Sequence, residues 1–230
     1  MLILLLVVVL LAAGSYAYLP TMALKLRRRR RARRRQDGKV LYLTFDDGPD
    51  PQYTPALLDL LAQHDIHATF FVVGDAAQAH PHIIQRMQEE GHLIGLHSAS
   101  HKSAYLLTPR QTREDFDRGV KTMAGLGVPL LYFRPPWGVV NLASFRSIRY
   151  HRLKLALWDV MAQDWRGDIT AREIVRRLRR RCRNGSVICL HDGRGENGAP
   201  GRTVQALALL LPQWLEEGFQ FQTLEYYEAS

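Results

Sequence analysis

Cysteine is scarce in this chain of 230 residues, with Cys182 and Cys189 the only two. No Cys-x-x-Cys pair and no Cys/His spacing is present, which argues against a cysteine-based zinc centre or a disulfide framework. Both thiols read as buried or incidental, with one disulfide between them the remaining alternative. Positive charge is missing at the extreme amino terminus, where no Lys or Arg precedes the apolar run MLILLLVVVLLAAGSYAYL. A secretory signal ordinarily opens with such charge. Negative charge is missing from KLRRRRRARRR, residues 25–35, whose one Lys and eight Arg contribute +9. The whole chain is also +9, so the remainder is neutral and the high pI is local to this run. A nucleic-acid-binding face on the folded body is therefore not expected.

The apolar front end is about long enough to cross a bilayer as one helix. Residues 1–20 read as an uncleaved transmembrane anchor. A cleaved signal is the alternative, since Ser15-Tyr16-Ala17 faintly resembles a cleavage site. Residues 21–38 read as a basic juxtamembrane linker that grips anionic lipid. Charge on the carboxyl side of the span places the following domain in the cytoplasm by the positive-inside rule. At 47% hydrophobic residues, the chain can build a sizeable core, in one domain over 39–230.

From Gly38 onward short apolar runs alternate with amphipathic ones. The strand candidates are 39–45, 67–73, 92–97, 130–134, 153–158, 186–191 and 219–224. The helix candidates are 53–64, 80–90, 109–125, 141–151, 170–183 and 203–217. Thr108-Pro109 supplies an N-cap and first helical residue, and Gly125 or Gly127 a stop. Such alternation implies an α/β fold, a mostly parallel sheet with helices outside. It leaves a closed barrel and an open sheet equally possible. In both, ligands sit at the carboxyl ends of the strands.

Chemically able residues cluster at those ends. Thr44-Phe45-Asp46-Asp47-Gly48-Pro49 closes the first strand with two adjacent carboxylates. Two anions that close repel, so one must be neutralised or bound to a cation. His97 and His101 follow another strand at a spacing that reaches one metal. Arg134, held by Pro135 and Pro136, can pair with a carboxylate. His191, at a later strand end, is a candidate general acid.

The segments TFDDGP (44–49), HSASH (97–101), RPPWG (134–138), QDW (163–165) and CLH (189–191) stand in the order of the five motifs of the NodB-homology polysaccharide deacetylases, carbohydrate esterase family 4. The chain resembles that family over about residues 39–224. The resemblance implies an irregular (β/α)7 barrel. It implies that Asp46 is the general base, that Asp47, His97 and His101 hold a divalent metal (zinc, or cobalt or manganese), and that Arg134 orients Asp46. It further implies that His191 is the general acid, kept cationic by Asp164. Trp137 would offer its backbone N–H to substrate, and Trp165 and Leu190 would wall the acetyl pocket. Met161 stands where the family commonly has Asp, and Cys189 where it has Leu, so the shape of the acyl pocket is the least secured part. The implied reaction is removal of N-acetyl, or another small N-acyl, from amino sugars of a polysaccharide such as peptidoglycan. A lipid-linked amino sugar at the cytoplasmic face is the alternative substrate, and an inactive, membrane-tethered sugar-binding protein the alternative class. Family precedent slightly favours an exported domain, against the positive-inside rule.

Overall fold

The computed structural model describes residues 14–31 and 38–227. A π-turn at Gly14–Tyr18 leads into helix α1 (Leu19–Arg31). Then follow β1 (Val40–Asp46), α2 (Thr54–Gln63), β2 (Thr69–Val72), α3 (Gly74–Ala79), α4 (Pro81–Glu89) and β3 (Leu93–Leu96). The chain continues through α5 (Pro109–Gly125), β4 (Tyr132–Phe133), α6 (Leu142–Tyr150), β5 (Lys154–Leu155) and β6 (Val160–Met161). It ends in α7 (Ala171–Arg181), β7 (Ser186–His191), α8 (Ala199–Glu216), β8 (Gln220–Phe221) and α9 (Leu224–Tyr227).

All strand pairs are parallel, in the order β5-β4-β3-β2-β1-β7-β6, with β8 on β1. β1 is the hub. One edge pairs with β7 from Leu41 to Asp46, while the other carries β8 at Val40–Leu41 and β2 at Thr44–Asp46. The end strands β5 and β6 do not pair, so the sheet is a curled half-barrel and not a closed barrel. Eight strands stand where seven were expected, because the two-residue β6 is too short to show a period.

Side-chain alternation sorts two cores. Leu41, Leu43 and Phe45 of β1 and Ile188 and Leu190 of β7 face the helix layer, in a cluster with α2 and α8. Val40 and Tyr42 of β1 and Val187 of β7 face the concave side, with Phe71 and Tyr132. The concave row therefore continues up β1 to Thr44 and Asp46, and up β7 to Cys189 and His191, in register pairs Thr44↔Cys189 and Asp46↔His191.

Helix signals act where they stand. Thr108 caps α5 in a reciprocal capping box with Gln111, and Thr170 does the same with Glu173 for α7. The helix expected over 203–217 begins earlier, at Ala199, because Pro200 fits a first turn and so does not block it. Cys182 and Cys189 are both free and buried, so no disulfide forms.

The front end differs from expectation. The linker expected over 21–38 is helical as far as Arg31. Thr21 is buried, donates its hydroxyl to Val140 O (2.9 Å) and accepts from Val140 N–H (3.1 Å), so α1 docks on the body. Most of the anchor expected over 1–20 lies outside the described residues. Among the described residues no helix is long and apolar enough to cross a membrane.

Leu43, central in β1 and fully buried, tests the helix-facing core. Leu43→Ala should lower unfolding free energy by about 2–5 kcal/mol, read as a lower urea midpoint at unchanged slope. A midpoint within experimental error of the parent would contradict this packing.

Candidate active site

The carboxyl end of β1 separates its two carboxylates by a change of backbone. Asp46 is the last extended residue, and Asp47 turns to φ 79°. Adjacent side chains on a strand point to opposite faces, but this left-handed turn lets both serve one cavity. Gly48 cannot be replaced without disturbance, since a Cβ there would overlap the Asp192 carboxylate. That carboxylate accepts from Gly48 N–H (3.2 Å) and from the Thr54 hydroxyl (2.7 Å), tying the ends of β1 and β7 together. Burial pushes Asp192 up to about 7.

Asp46 and Asp47 have different partners. Asp46 Oδ1 accepts from the Arg134 guanidinium at 2.7 Å, and its Oδ2 accepts from the Cys189 thiol at 3.3 Å. Arg134 is fully buried, also donates to the Thr44 hydroxyl (2.7 Å) and Leu157 O (3.3 Å), and lies 4.0 Å over the Phe71 ring. Burial and the Asp46 charge push the Cys189 thiol well up, so it stays protonated and able to donate.

Asp47 Oδ1 faces Nε2 of His101 at 2.8 Å and Nε2 of His97 at 3.4 Å. The other ring nitrogen of His97 lies 2.8 Å from Arg134 O, where only an N–H can be satisfied. The tautomer so fixed turns the lone pair of Nε2 toward Asp47. Asp47 Oδ1 is buried and no aligned hydrogen bond reaches it. Burial works to raise this carboxyl, but where the His101 and His97 rings carry a proton on Nε2, in the place a cation would otherwise take, they outweigh it and hold Asp47 well below the ordinary carboxylate range. One oxygen and two imidazole nitrogens, all within 4.8 Å of one another, form a donor set that fits a divalent cation of the zinc type.

The His97–His101 turn is shaped from α5. Asp115 accepts from Ala99 N–H (3.1 Å), Ser100 N–H (3.1 Å) and the Ser100 hydroxyl (2.6 Å). The Ser98 hydroxyl takes the His101 N–H at 2.8 Å. These contacts hold Ser98 at φ 65° and His101 at φ 54°.

Across the cavity, His191 Nδ1 lies 3.0 Å from Asp164 Oδ1, and its backbone N–H donates to Asp164 Oδ2 at 2.8 Å. Thr203 of α8 also donates to that Oδ2, at 2.9 Å. Burial works to lower the His191 pKa, but the Asp164 charge and hydrogen bond, with Asp46 and Asp47 beyond, outweigh it and raise it to about 9. The neighbour in sequence, Asp192, points away to Gly48, so the carboxylate serving His191 is the distant one.

These groups face one cavity of about 380 Å³. Trp137 lies tilted 4.5 Å from His101 and Trp165 lies edge-on 5.2 Å from His191, ring centre to ring centre. Leu190 departs from expectation: it faces the helix layer, fully buried, because it alternates with Cys189 and His191 along β7. Trp158 and Met161 line the cavity instead. Asp115 and Thr203 gave no signal in the sequence, since single hydroxyls and acids outside a motif look like surface residues; Thr44 stood inside the first motif and Asp192 beside His191, but neither showed the partner it serves.

The model of the polysaccharide deacetylase family matches residues 33–156, more than half of the chain. This chain belongs to the polysaccharide deacetylase family. A relative in Bacillus cereus, named a peptidoglycan-N-acetylglucosamine deacetylase, is 35% identical over 188 residues, covering 81% of this chain and 86% of its own length. A chitooligosaccharide deacetylase of Bradyrhizobium is 32% identical, covering 80% of this chain and 88% of the relative. Among solved structures, a family 4 acetyl xylan esterase from Clostridium thermocellum, in complex with a cobalt ion, superposes with a TM-score of 0.74. It is 31% identical and covers 82% of this chain and 90% of that one. The deacetylase half-barrel is thus shared, and this polysaccharide deacetylase is a hydrolase acting on carbon–nitrogen bonds.

Asp115 touches none of the three donors, yet it fixes the turn that carries two of them. Asp115→Ala should weaken zinc binding about 10–100-fold, measured by competition with a chromophoric chelator. Unchanged affinity would show that the turn holds its shape without it.

Proposed function

We propose that this enzyme removes acetyl groups from N-acetylglucosamine units of a cell-wall-type glycan. The observation that carries the reading is the division of partners around one cavity: Asp46 on Arg134, Asp47 with two imidazoles, and His191 on Asp164. The named substrates of the relatives, peptidoglycan and chitooligosaccharide, share that sugar.

Asp47, His97 and His101 would hold the metal, with zinc, cobalt and manganese the candidates. Bound there, a divalent cation supplies a Lewis acid that polarises the acyl carbonyl and acidifies water. Asp46 takes the proton of the attacking water. Arg134 holds Asp46 aimed through its first oxygen, and the Cys189 thiol occupies the second. The new C–O bond forms as the carbonyl π pair moves to oxygen, and the Trp137 backbone N–H faces that oxyanion. His191 then protonates the sugar nitrogen as the C–N bond breaks, giving acetate and a free amine. An amide nitrogen leaves poorly as an anion, so this proton is required. Trp165, Trp158 and Met161 form the apolar wall for the acetyl methyl.

A second reading, a lipid-linked amino sugar at the cytoplasmic face, is supported by the Arg run at 25–35. A carboxyl-terminal reporter fusion distinguishes the two: an outside signal supports the polymer and a cytoplasmic signal the glycolipid.

The test of activity is acetate release from purified peptidoglycan and from N-acetylglucosamine oligomers. Release is expected, and no release from either with metal supplied would overturn the reading. The pH profile tests the acid. His191 is raised to about 9, so it is protonated below that pH and loses its proton above it. Activity should therefore fall on the alkaline side. Asp164→Asn removes the main raising influence, and the alkaline limb should move down by about one unit or more. An alkaline limb that stays in place would contradict the assignment of His191.

A further inference from the structure

The outer face of α6 is built for contact. Leu142, Phe145, Arg146, Arg149 and Tyr150 recur at three- and four-residue spacing and all are exposed, while Ala143, Ser144, Ser147 and Ile148 are buried. This face has three large apolar side chains, two cations and no acid. Neither Arg146 nor Arg149 pairs with an acid among the described residues. Between α5 and α6 runs a groove of about 670 Å³, lined by Arg110, Arg113, Arg146 and Tyr150, with Asp117 its one acid. Asp117 is engaged by His151 at 2.7 Å, and Arg110 by Glu114 at 2.7 Å. Arg113 and Arg146 are left to meet an anion.

Other exposed apolar groups gather at the same place. Asn141, the buried N-cap of α6, donates its amide to Ala104 O and to the Thr112 hydroxyl, each at 2.9 Å. This holds Tyr105 and Leu106, the latter 82% exposed, against the start of α6. One residue earlier, Val140 receives Thr21 of α1, whose Leu19 and Met22 are also exposed, as is Tyr18 just before it. The Gly14–Tyr18 turn, α1, the 101–108 loop and α6, which meet at Val140 and Asn141, together carry nine of the fourteen large apolar side chains exposed among the described residues.

We propose that this face seats the domain on an anionic phospholipid bilayer, with Leu142, Phe145 and Tyr150 in the headgroup region and a lipid phosphate at Arg113 and Arg146. Apolar and aromatic groups beside unpaired arginines, with few acids, suit an anionic interface. The sequence ahead of α1, residues 1–13, is apolar and free of charged side chains, so it can enter the same membrane. A second copy of the chain is the poorer occupant, because a self-contact would set these arginines against each other. Trp137, exposed at the cavity and five positions before Leu142, would then place the mouth of the site beside the lipid. The inference does not depend on which glycan is cleaved, and its test reads contact with lipid, not turnover.

The experiment uses the full chain, one copy per nanodisc, in phosphatidylcholine with or without phosphatidylglycerol. An environment-sensitive fluorophore is placed by Phe145→Cys, with Leu209→Cys on α8 as the control; native Cys182 and Cys189 are buried. In discs with phosphatidylglycerol, emission from position 145 should shift to the blue. A spin label on the shallow acyl chain should quench it, since such faces sit about 5–10 Å into the boundary. The control should not respond, and Arg113→Ala with Arg146→Ala should abolish the response. Hydrogen exchange on the unsubstituted chain gives the same reading without a label: residues 104–106 and 142–150 should be protected only with anionic lipid. Equal behaviour at 145 and 209, or a response indifferent to phosphatidylglycerol and to the arginines, would overturn the proposal. So would a response in detergent that grows with protein concentration, which would indicate a second copy.

Discussion

A guanidinium with no access to water is costly unless it is paired and hydrogen-bonded. The two terminal nitrogens of Arg134 donate to the Asp46 carboxylate, the Thr44 hydroxyl and the Leu157 carbonyl, its plane lies over the face of Phe71, and only its Nε is left without a hydrogen bond. These come from β1, β2 and the segment after β5, so the buried cation draws distant parts of the half-barrel to one point. Removing its carboxylate would leave an uncompensated buried charge, a loss of about 3–5 kcal/mol. The same pair settles the conflict posed by two adjacent acids. Asp46 is neutralised from within the protein, which leaves Asp47 to turn outward to the imidazoles. His97 couples the halves, because its Nδ1 rests on the Arg134 carbonyl while its Nε2 faces Asp47.

Much of this was legible in the residues. The strand–helix alternation announced a parallel α/β sheet, and strand-end residues did converge on one cavity. Thr108-Pro109 marked the start of α5 correctly because capping is local chemistry. Leu190 went wrong for an equally physical reason: strand alternation sends it away from the side that His191 faces. Closure of the barrel and the existence of β6 depend on pairings between distant strands, which no local pattern encodes. Asp115, Asp192 and Thr203 act by supporting backbone or another side chain, and only the folded geometry shows what they touch.

The arrangement also relates position to chemistry. The 134–141 segment starts at Arg134, passes Trp137 at the cavity and ends at Val140 and Asn141, which hold α1 and the 101–108 loop. The residues that build the catalytic cavity are therefore continuous with those that receive the amino-terminal helix. The proposed lipid-facing surface and the proposed reaction share one structural element.

The central claim is that the two neighbouring carboxylates have separate tasks. Zinc titration of Asp46→Asn and Asp47→Asn by calorimetry, with acetate release measured on the same samples, tests it most directly. Asp46→Asn should bind zinc with affinity near that of the parent and lose about 10²–10⁴-fold of its activity, while Asp47→Asn should lose zinc binding itself. The reverse pattern, or full hydrolysis by Asp46→Asn, would contradict the account.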